Sequence, residues 1–530
     1  MNSLKVLDVT LRDGGCVNNF NFGQQYMDKI LKALEDSGVE CIELGYIDQN
    51  KGSERGRTQY CNEQVIPEYF LKHKRPGILY VAMMDYGKFD VDQLQPCDGR
   101  GIDGSRLAFH KKDRQNVINV GKKIIAKGYQ FFVQPMITLR YSDTELIDLI
   151  DTINQELPDA SGFYIVDSFG EMRPNDMNRI MNLVDHNLLP SMPLGFHSHN
   201  NLQMSYSNAV SLLQFPTNRD LMLDCSIMGM GKGAGNLNTE LLMEHLNLFY
   251  GKKYQTEPLL KVIDEVINQI RAEHYWGYSI EYYLSSINHC TPSYAGHFYN
   301  KHMLPIDQVA ELLGMIREDK KISFDKEYAE QLYLEYNTRR KANDADVIEQ
   351  LSDVFKGKNV LLIAPGRSIL QAEEVIQEEL SKENTVSISL NIWDKFETDY
   401  VFATRYDAYT AAVNAKRNVI TTSSICEEER KNVYVIDYQK WVVVDGEVQD
   451  SSGILVMSLL RHCGVSKLVL AGFDGFHVNL NKNYYDKTMG HPVTAEQAEK
   501  RNAYFRNYVK NLRREISVIF LTESLYEDKL

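Results

Sequence analysis

The sequence is poor in the features that mark several large protein classes. It has eight cysteines in 530 residues, scattered from Cys16 to Cys463 with no C-x-x-C pair. That usage excludes a disulfide scaffold and fits a reducing setting. No run of about 18 apolar residues occurs, so no membrane span is expected. The opening MNSLKVLDVTLRDGG has no apolar h-region and carries charge early, so the reading is of a cytoplasmic protein without a secretory leader. An excess of positive charge is also missing: 58 Lys+Arg stand against 72 Asp+Glu, a net charge of −14. Such a chain, with a pI near 5.5, lacks the global field that favours nucleic acid or anionic lipid. Repeats and low-complexity segments are absent. What is present is ordinary globular material, 43% apolar and 25% charged. At roughly 100–200 residues per domain, the length suggests three or four domains.

The first half alternates short apolar runs with longer amphipathic stretches. The runs are Leu4–Val9, Cys41–Ile47, Ile78–Met84, Arg106–His110, Gln130–Gln134, Phe163–Asp167, Leu194–His199 and Leu221–Met228. Their β-branched, aromatic and long apolar content suits buried parallel strands. Between them, stretches such as Gln24–Gly38 and Thr144–Ile153 carry helical spacing. Repeated β-α units over about 250 residues match a (β/α)8 TIM barrel, with an open doubly wound sheet as the alternative. Polar residues decide between them. Asp13 follows the first run, Glu43 sits in the second, Asp167-Ser168 end the sixth, and His197 and His199 end the seventh. Chemistry at strand ends all around a ring is the mark of a closed barrel, here residues 1–250.

Residues 251–345 change character. Leu259–Ile270, Ile306–Ile316 and Lys326–Tyr336 have helical spacing, and they predict a helical post-barrel domain or a set of extra barrel-side helices. A polar linker near Arg339–Asp346 leads to a second alternation over 355–530, read as an open-sheet, Rossmann-like α/β domain. Its turn Ala364-Pro-Gly-Arg-Ser368 can present backbone N–H groups to a nucleotide or phosphate, and it can equally be a plain β-α turn. Asp474, in Ala471-Gly-Phe-Asp-Gly475, ends another predicted strand of this sheet.

His197-x-His199 places two imidazoles on one face of a strand end. Alone, such a pair is more often structural. Asp13 alters that balance, because the first and seventh strands of a closed barrel are near neighbours. One carboxylate and two imidazoles leave coordination positions open, as catalytic sites do. Mixed N/O donors suit Mn²⁺, Co²⁺, Fe²⁺ or Zn²⁺, and Mg²⁺ if waters complete the shell. Arg12 beside them suits a carboxylate or a developing enolate, or a salt bridge to Glu43 or Asp167. The Gly-rich Met228–Asn236 segment permits close backbone approach.

Taken together, Leu7-Asp-Val-Thr-Leu-Arg-Asp-Gly-Gly15, Ile165-Val-Asp-Ser-Phe-Gly170, Gly195-Phe-His-Ser-His-Asn200 and Gly229–Asn236 resemble the signatures of the DRE-TIM metallolyase superfamily (pyruvate-carboxyltransferase-like, HMGL-like). Gly233-Ala-Gly-Asn236 and Ser293-Tyr-Ala-Gly296 are most similar to its 4-hydroxy-2-oxovalerate aldolase branch. The resemblance covers residues 1–340. It implies Asp13, His197 and His199 as ligands of a divalent metal, with Mn²⁺ the first choice over Mg²⁺, Co²⁺ or Zn²⁺. It implies Arg12 as the group that stabilises the enolate and Ser168 as a contact to the oxo acid. Tyr294 matches a tyrosine that reaches the aldolase site from the post-barrel helices. Asn236 is expected to brace the Gly-rich loop or the metal shell, and Glu43 to support Arg12, both beside the substrate. Cys16 departs from the pattern: the aldolase branch carries its catalytic His there. The thiol is either a base in its place or a shaping group.

The implied activity is a metal-dependent aldolase joining or splitting a pyruvate-type enolate and an aldehyde, a carbon–carbon lyase of class II type. Its partners are a small oxo acid and an aldehyde, with no nucleic acid and no membrane. A homo-oligomer is compatible with the sequence. The alternatives are an acyl-CoA-dependent Claisen synthase on the same barrel, and a bifunctional chain whose C-terminal domain binds a nucleotide or nucleotide-sugar.

Overall fold

The computed structural model describes every residue except 1–2, 302, 427–429, 446–447, 480–481, 487–488, 490–492 and 528–530. The chain divides into two compact units, Met1–Ala295 and Gly296–Leu530. No helix among the described residues is long and apolar enough to cross a membrane.

In the first unit, eight parallel strands close into a barrel. They are β1 (Leu4–Asp8), β2 (Cys41–Ile47), β3 (Leu79–Asp85), β4 (Gly104–Phe109), β5 (Gln130–Pro135), β6 (Gly162–Asp167), β7 (Leu194–Ser198) and β8 (Leu221–Cys225). Each pairs with its sequence neighbours, and β1 closes the ring by pairing with both β8 and β2. The expected TIM barrel is therefore present, and all eight predicted runs form its strands. The two-residue strand Gln59–Tyr60, which extends the sheet beside β2, has no periodic signal in the sequence. Helices pack their apolar faces on the outside. In Gln24–Ser37 the residues Met27, Ile30 and Leu34 are buried, and Gly38 ends the helix in the left-handed region. Asp143–Glu156 begins with a capping box, in which Ser142 and Glu145 satisfy each other's backbone N–H groups.

Helices follow the barrel at Glu257–Val262, Asn268–Glu273 and Ile280–Ile287, and in the second unit at Ile306–Gly314 and Lys326–Thr338. The helical character expected over 251–345 is thus observed. The three-domain division drawn from the sequence is kept as a proposal.

The second unit holds seven parallel strands: β9 (Asn359–Ile363), β10 (Thr385–Leu390), β11 (Tyr400–Ala403), β12 (Val419–Thr422), β13 (Val433–Ile436), β14 (Lys467–Ala471) and β15 (Ser517–Phe520). Their order is β13-β12-β11-β10-β9-β14-β15, so the strand order reverses between β9 and β14. This is an open doubly wound sheet with its switch point at the Ala364–Ser368 turn. There Asp474 accepts hydrogen bonds from the Ser368 backbone N–H at 2.7 Å and the Ser368 hydroxyl at 2.5 Å.

One irregularity in the barrel matters for the site. The register of β2 on β3 slips between Glu43 and Tyr46, a β-bulge. Gly45 lies inside it at φ +150°, and a Cβ there would meet the Thr58 carbonyl oxygen at 2.1 Å. Gly45→Val is expected to lower stability by about 1–3 kcal/mol or more through this overpacking, read as a fall in the urea midpoint of the barrel transition. An unchanged midpoint would show that the bulge relaxes freely.

Candidate metal and active site

Strand parity explains why the candidates converge. Leu7, Cys41, Val81, Phe132, Tyr164 and Met222 form one buried cluster inside the barrel. Alternate residues of a strand share a face. Steps of two from these residues therefore place Glu43, Asp85, Ser168 and Asp224 on the inner face. The registers Met83↔Arg106 and Val166↔His197 add Arg106 and His197, and His199 follows two residues on.

These residues make a continuous buried ionic network. Arg106 is fully buried and stacks 4.7 Å over the Tyr164 ring. It pairs with Glu43 at 3.0 Å and, at closer range, with Asp224. The same Glu43 oxygen accepts from Arg12 Nε at 2.6 Å, and Arg12 Nη1 donates to Asp13 at 2.8 Å. Arg12 thus uses Glu43 and Asp13. The Asp167 carboxylate instead accepts from the backbone N–H groups of Glu171 and Met172. Burial, reinforced by Glu171, pushes Asp167 up to about 7. Burial disfavours charge on Arg12, but Glu43 and Asp13 outweigh it and hold the guanidinium protonated.

Asp13, His197 and His199 stand together, with one ligand atom from each lying within 4.8 Å of the others. His197 Nδ1 meets the Asp224 carboxylate at 2.9 Å, and His199 Nδ1 meets the Lys232 carbonyl at 3.0 Å. Both imidazoles are thereby fixed with Nε2 available, the arrangement that orients metal-ligating histidines. Burial lowers His199 to about 4, so its ring is neutral and its lone pair free at pH 7. Burial also opposes charge on Asp13, but Arg12 and the two histidines prevail and hold its carboxyl well below the usual range. Asn236 donates to Asp13 at 2.8 Å and to the Met230 carbonyl at 3.2 Å, so it braces both the loop and the triad. Gly231 permits this: a Cβ there would lie 2.2 Å from Asn236 Nδ2 and 2.5 Å from Asp13 Oδ2. Among the buried polar atoms without a hydrogen-bond partner are Arg12 Nη2 and Asn236 Oδ1. A carboxylate, two imidazoles and an unspent guanidinium donor fit a divalent cation with an anionic ligand.

The remaining candidates are placed as follows. Ser168 accepts from the Ile137 backbone N–H at 3.1 Å, which leaves its own O–H to donate elsewhere. Glu43 is fully buried behind Arg12. Cys16 is surface-exposed, yet its sulfur is crowded; desolvation, then the Asp13 carboxylate, pushes the thiol up to about 12. Tyr294 is fully buried in the helix Pro292–Tyr299. Sequence reasoning missed Arg106 and Asp224, which sit inside apolar runs where parity alone could have flagged them. It also missed Asp85 and Tyr46. Burial raises Asp85, against a hydrogen bond from Tyr46 and the charges of Arg12 and His110.

Residues 3–266 match the model of the HMGL-like family. A 4-hydroxy-2-oxovalerate aldolase from Geobacillus genomosp. 3 is 26% identical over 252 residues, 46% of this chain and 71% of that one. The 4-hydroxy-2-oxovalerate aldolase 2 of Comamonas testosteroni is 27% identical over 245 residues, 45% of this chain and 67% of its own. Among solved structures, the N-terminal domain of a Bacteroides vulgatus protein aligns at 25% identity with a TM-score of 0.49, over 56% of this chain and 96% of that one. The family match ends before the second sheet begins.

The network makes a quantitative expectation. Arg106→Met leaves Glu43 and Asp224 buried without their shared cation and should cost about 3–5 kcal/mol in urea unfolding. Lys122→Met, at a pair with both side chains 48% exposed, should cost under about 1 kcal/mol. Equal costs would show that the interior pair is not desolvated.

Proposed function

We propose, from the match of residues 3–266 to the HMGL-like family model, that this chain is a divalent-metal-dependent aldolase that makes or cleaves the C–C bond between a pyruvate-type enolate and an aldehyde, with a 4-hydroxy-2-oxo acid as the joined form. The observation that carries the reading is the buried Asp13-His197-His199 triad, both Nδ1 atoms engaged, beside the unpartnered Nη2 of Arg12. The curated relatives named 4-hydroxy-2-oxovalerate aldolase support it.

Asp13, His197 and His199 would hold the cation, with Mn²⁺ our first choice over Mg²⁺, Co²⁺ and Zn²⁺. When bound, it supplies Lewis acidity to the carbonyl of the oxo acid. Arg12 directs its free N–H at the oxygen on which enolate charge develops. Glu43 holds the guanidinium at that angle, and its preorganisation is the kind of electrostatic help worth several kcal/mol at a transition state. The Ser168 hydroxyl donates to the oxo-acid end. Asn236 fixes the Asp13 carboxylate, so that its donor atom does not turn away when substrate enters. Tyr294 matches the tyrosine that the resemblance brings to the site, and Cys16 stands where the aldolase branch carries its catalytic His. Burial, then the Asp13 carboxylate, keeps the Cys16 thiol protonated at neutral pH, so it shapes the pocket rather than accepting a proton.

The test needs no knowledge of the aldehyde. Purified protein should contain a divalent metal and should exchange the C3 protons of pyruvate with solvent deuterium, followed by NMR. Chelation or His199→Ala should abolish the exchange. Asp224→Asn should weaken metal affinity about 10–100-fold by loosening His197. Full exchange in metal-stripped protein would sink the proposal, and thiol release from acetyl-CoA with 2-oxo acids would instead mark a Claisen synthase.

A further inference from the structure

An aldol cleavage needs a group to take the proton of the 4-hydroxyl as the C3–C4 bond breaks. Cys16 lies three residues after Asp13, but as a neutral thiol. The inner face of the barrel offers another candidate. Asp85 ends β3 on the same face as Val81 and Met83, and its carboxylate interacts electrostatically with Arg12, Cys16, His110 and Lys88. It is therefore close to the group that faces the enolate. It keeps partial access to solvent, unlike the fully buried Glu43.

The bulge in β2 gives Asp85 a partner. In an unbroken strand Tyr46 would lie on the opposite face from Glu43. The one-residue slip puts Tyr46 opposite Met83 instead, and so on the inner face. Its hydroxyl donates to Asp85, and its ring stacks on Phe20 with centroids 6.0 Å apart and planes at 25°. The bulge thus orients a carboxylate that belongs to a different strand. This strand irregularity, at a glycine with φ +150°, lies towards the C-terminal end of β2.

Resting on the aldolase reading, we propose that Asp85 is the general base of this site and Tyr46 its positioning residue. In the cleavage direction, Asp85 takes the 4-hydroxyl proton. The O–H electron pair forms the aldehyde C=O. The electrons of the C3–C4 bond pass to C3 and delocalise on to the 2-oxo oxygen facing Arg12. Asp85 then returns its proton to C3, which releases pyruvate and restores the carboxylate. By microscopic reversibility Asp85 also removes a C3 proton from pyruvate.

Two reactions of the metal-loaded full chain separate this role from structural damage. Pyruvate C3 exchange needs a base. Oxaloacetate decarboxylation reaches the same enolate by loss of CO2 and needs no proton removed. In Asp85→Asn the exchange should fall about 10²–10⁴-fold, and decarboxylation should fall by at least tenfold less. Tyr46→Phe removes a hydrogen bond that favours the charged carboxylate, so the acid limb of the exchange rate should move to higher pH. Exchange within tenfold of wild type in Asp85→Asn would overturn the assignment. So would an equal loss of both reactions, which would mean that Asp85 builds the site without accepting a proton. Wild-type protein that performs neither reaction would refute the aldolase reading itself.

Discussion

A single buried cation organises the barrel interior. Arg106 has no contact with solvent, and moving a guanidinium out of water is tolerable only if its charge is met at close range. Glu43 on β2 and Asp224 on β8, the two strands that flank β1, both meet it. Each of these carboxylates has a second lone pair to spend. Glu43 spends it on Arg12, and Asp224 spends it on His197. The groups proposed to do chemistry are therefore positioned by the same charges that neutralise Arg106. Position and charge balance come from one network.

That network also has an arithmetic. The two guanidiniums of Arg12 and Arg106 pair with the three carboxylates of Asp13, Glu43 and Asp224, so the ion-paired groups by themselves carry one surplus negative charge, and Asp85 on the same inner face adds a further carboxylate. Such a surplus favours a cation at the triad. Arg12 Nη2 and Asn236 Oδ1, both without a hydrogen-bond partner, are a donor and an acceptor of this network. Their burial is tolerable in a site that receives partners on binding.

Much of this was legible in the sequence. Eight apolar runs gave eight strands, and Asp13, His197 and His199 do come together, because a closed ring makes the first, seventh and eighth strands neighbours. The resemblance pointed to Asn236, and in the structure its amide donates to Asp13 beside Gly231, where a Cβ would clash with both. Two things were hidden for a physical reason. Arg106 and Asp224 lie in apolar strands, where a charged residue reads as a strand edge unless its cross-barrel partner is known. The bulge at Gly45 was invisible because a one-residue slip leaves composition and run length unchanged while reversing which face Tyr46 occupies. Periodicity reports faces only where the ladder is regular. The site lies partly where it is not.

The second unit reuses one of these devices with a different result. In the barrel, the Gly-rich loop delivers the Lys232 backbone N–H to Asp13, 3.2 Å away, and that carboxylate stays charged because cationic neighbours outweigh burial. At the switch point of the open sheet, the turn after β9 delivers the Ser368 N–H to Asp474. Gly366 is forced by the close approach, since a Cβ there would meet the Gly472 carbonyl oxygen at 2.2 Å and Asp474 Oδ1 at 2.5 Å. The backbone donors that would greet a phosphate are thus turned towards a side-chain carboxylate. Burial raises Asp474, against the hydrogen bonds from Ser368. A phosphate seated in that turn would have to displace this carboxylate and then lie against it. The Ser368 donors of that turn are therefore already engaged by Asp474.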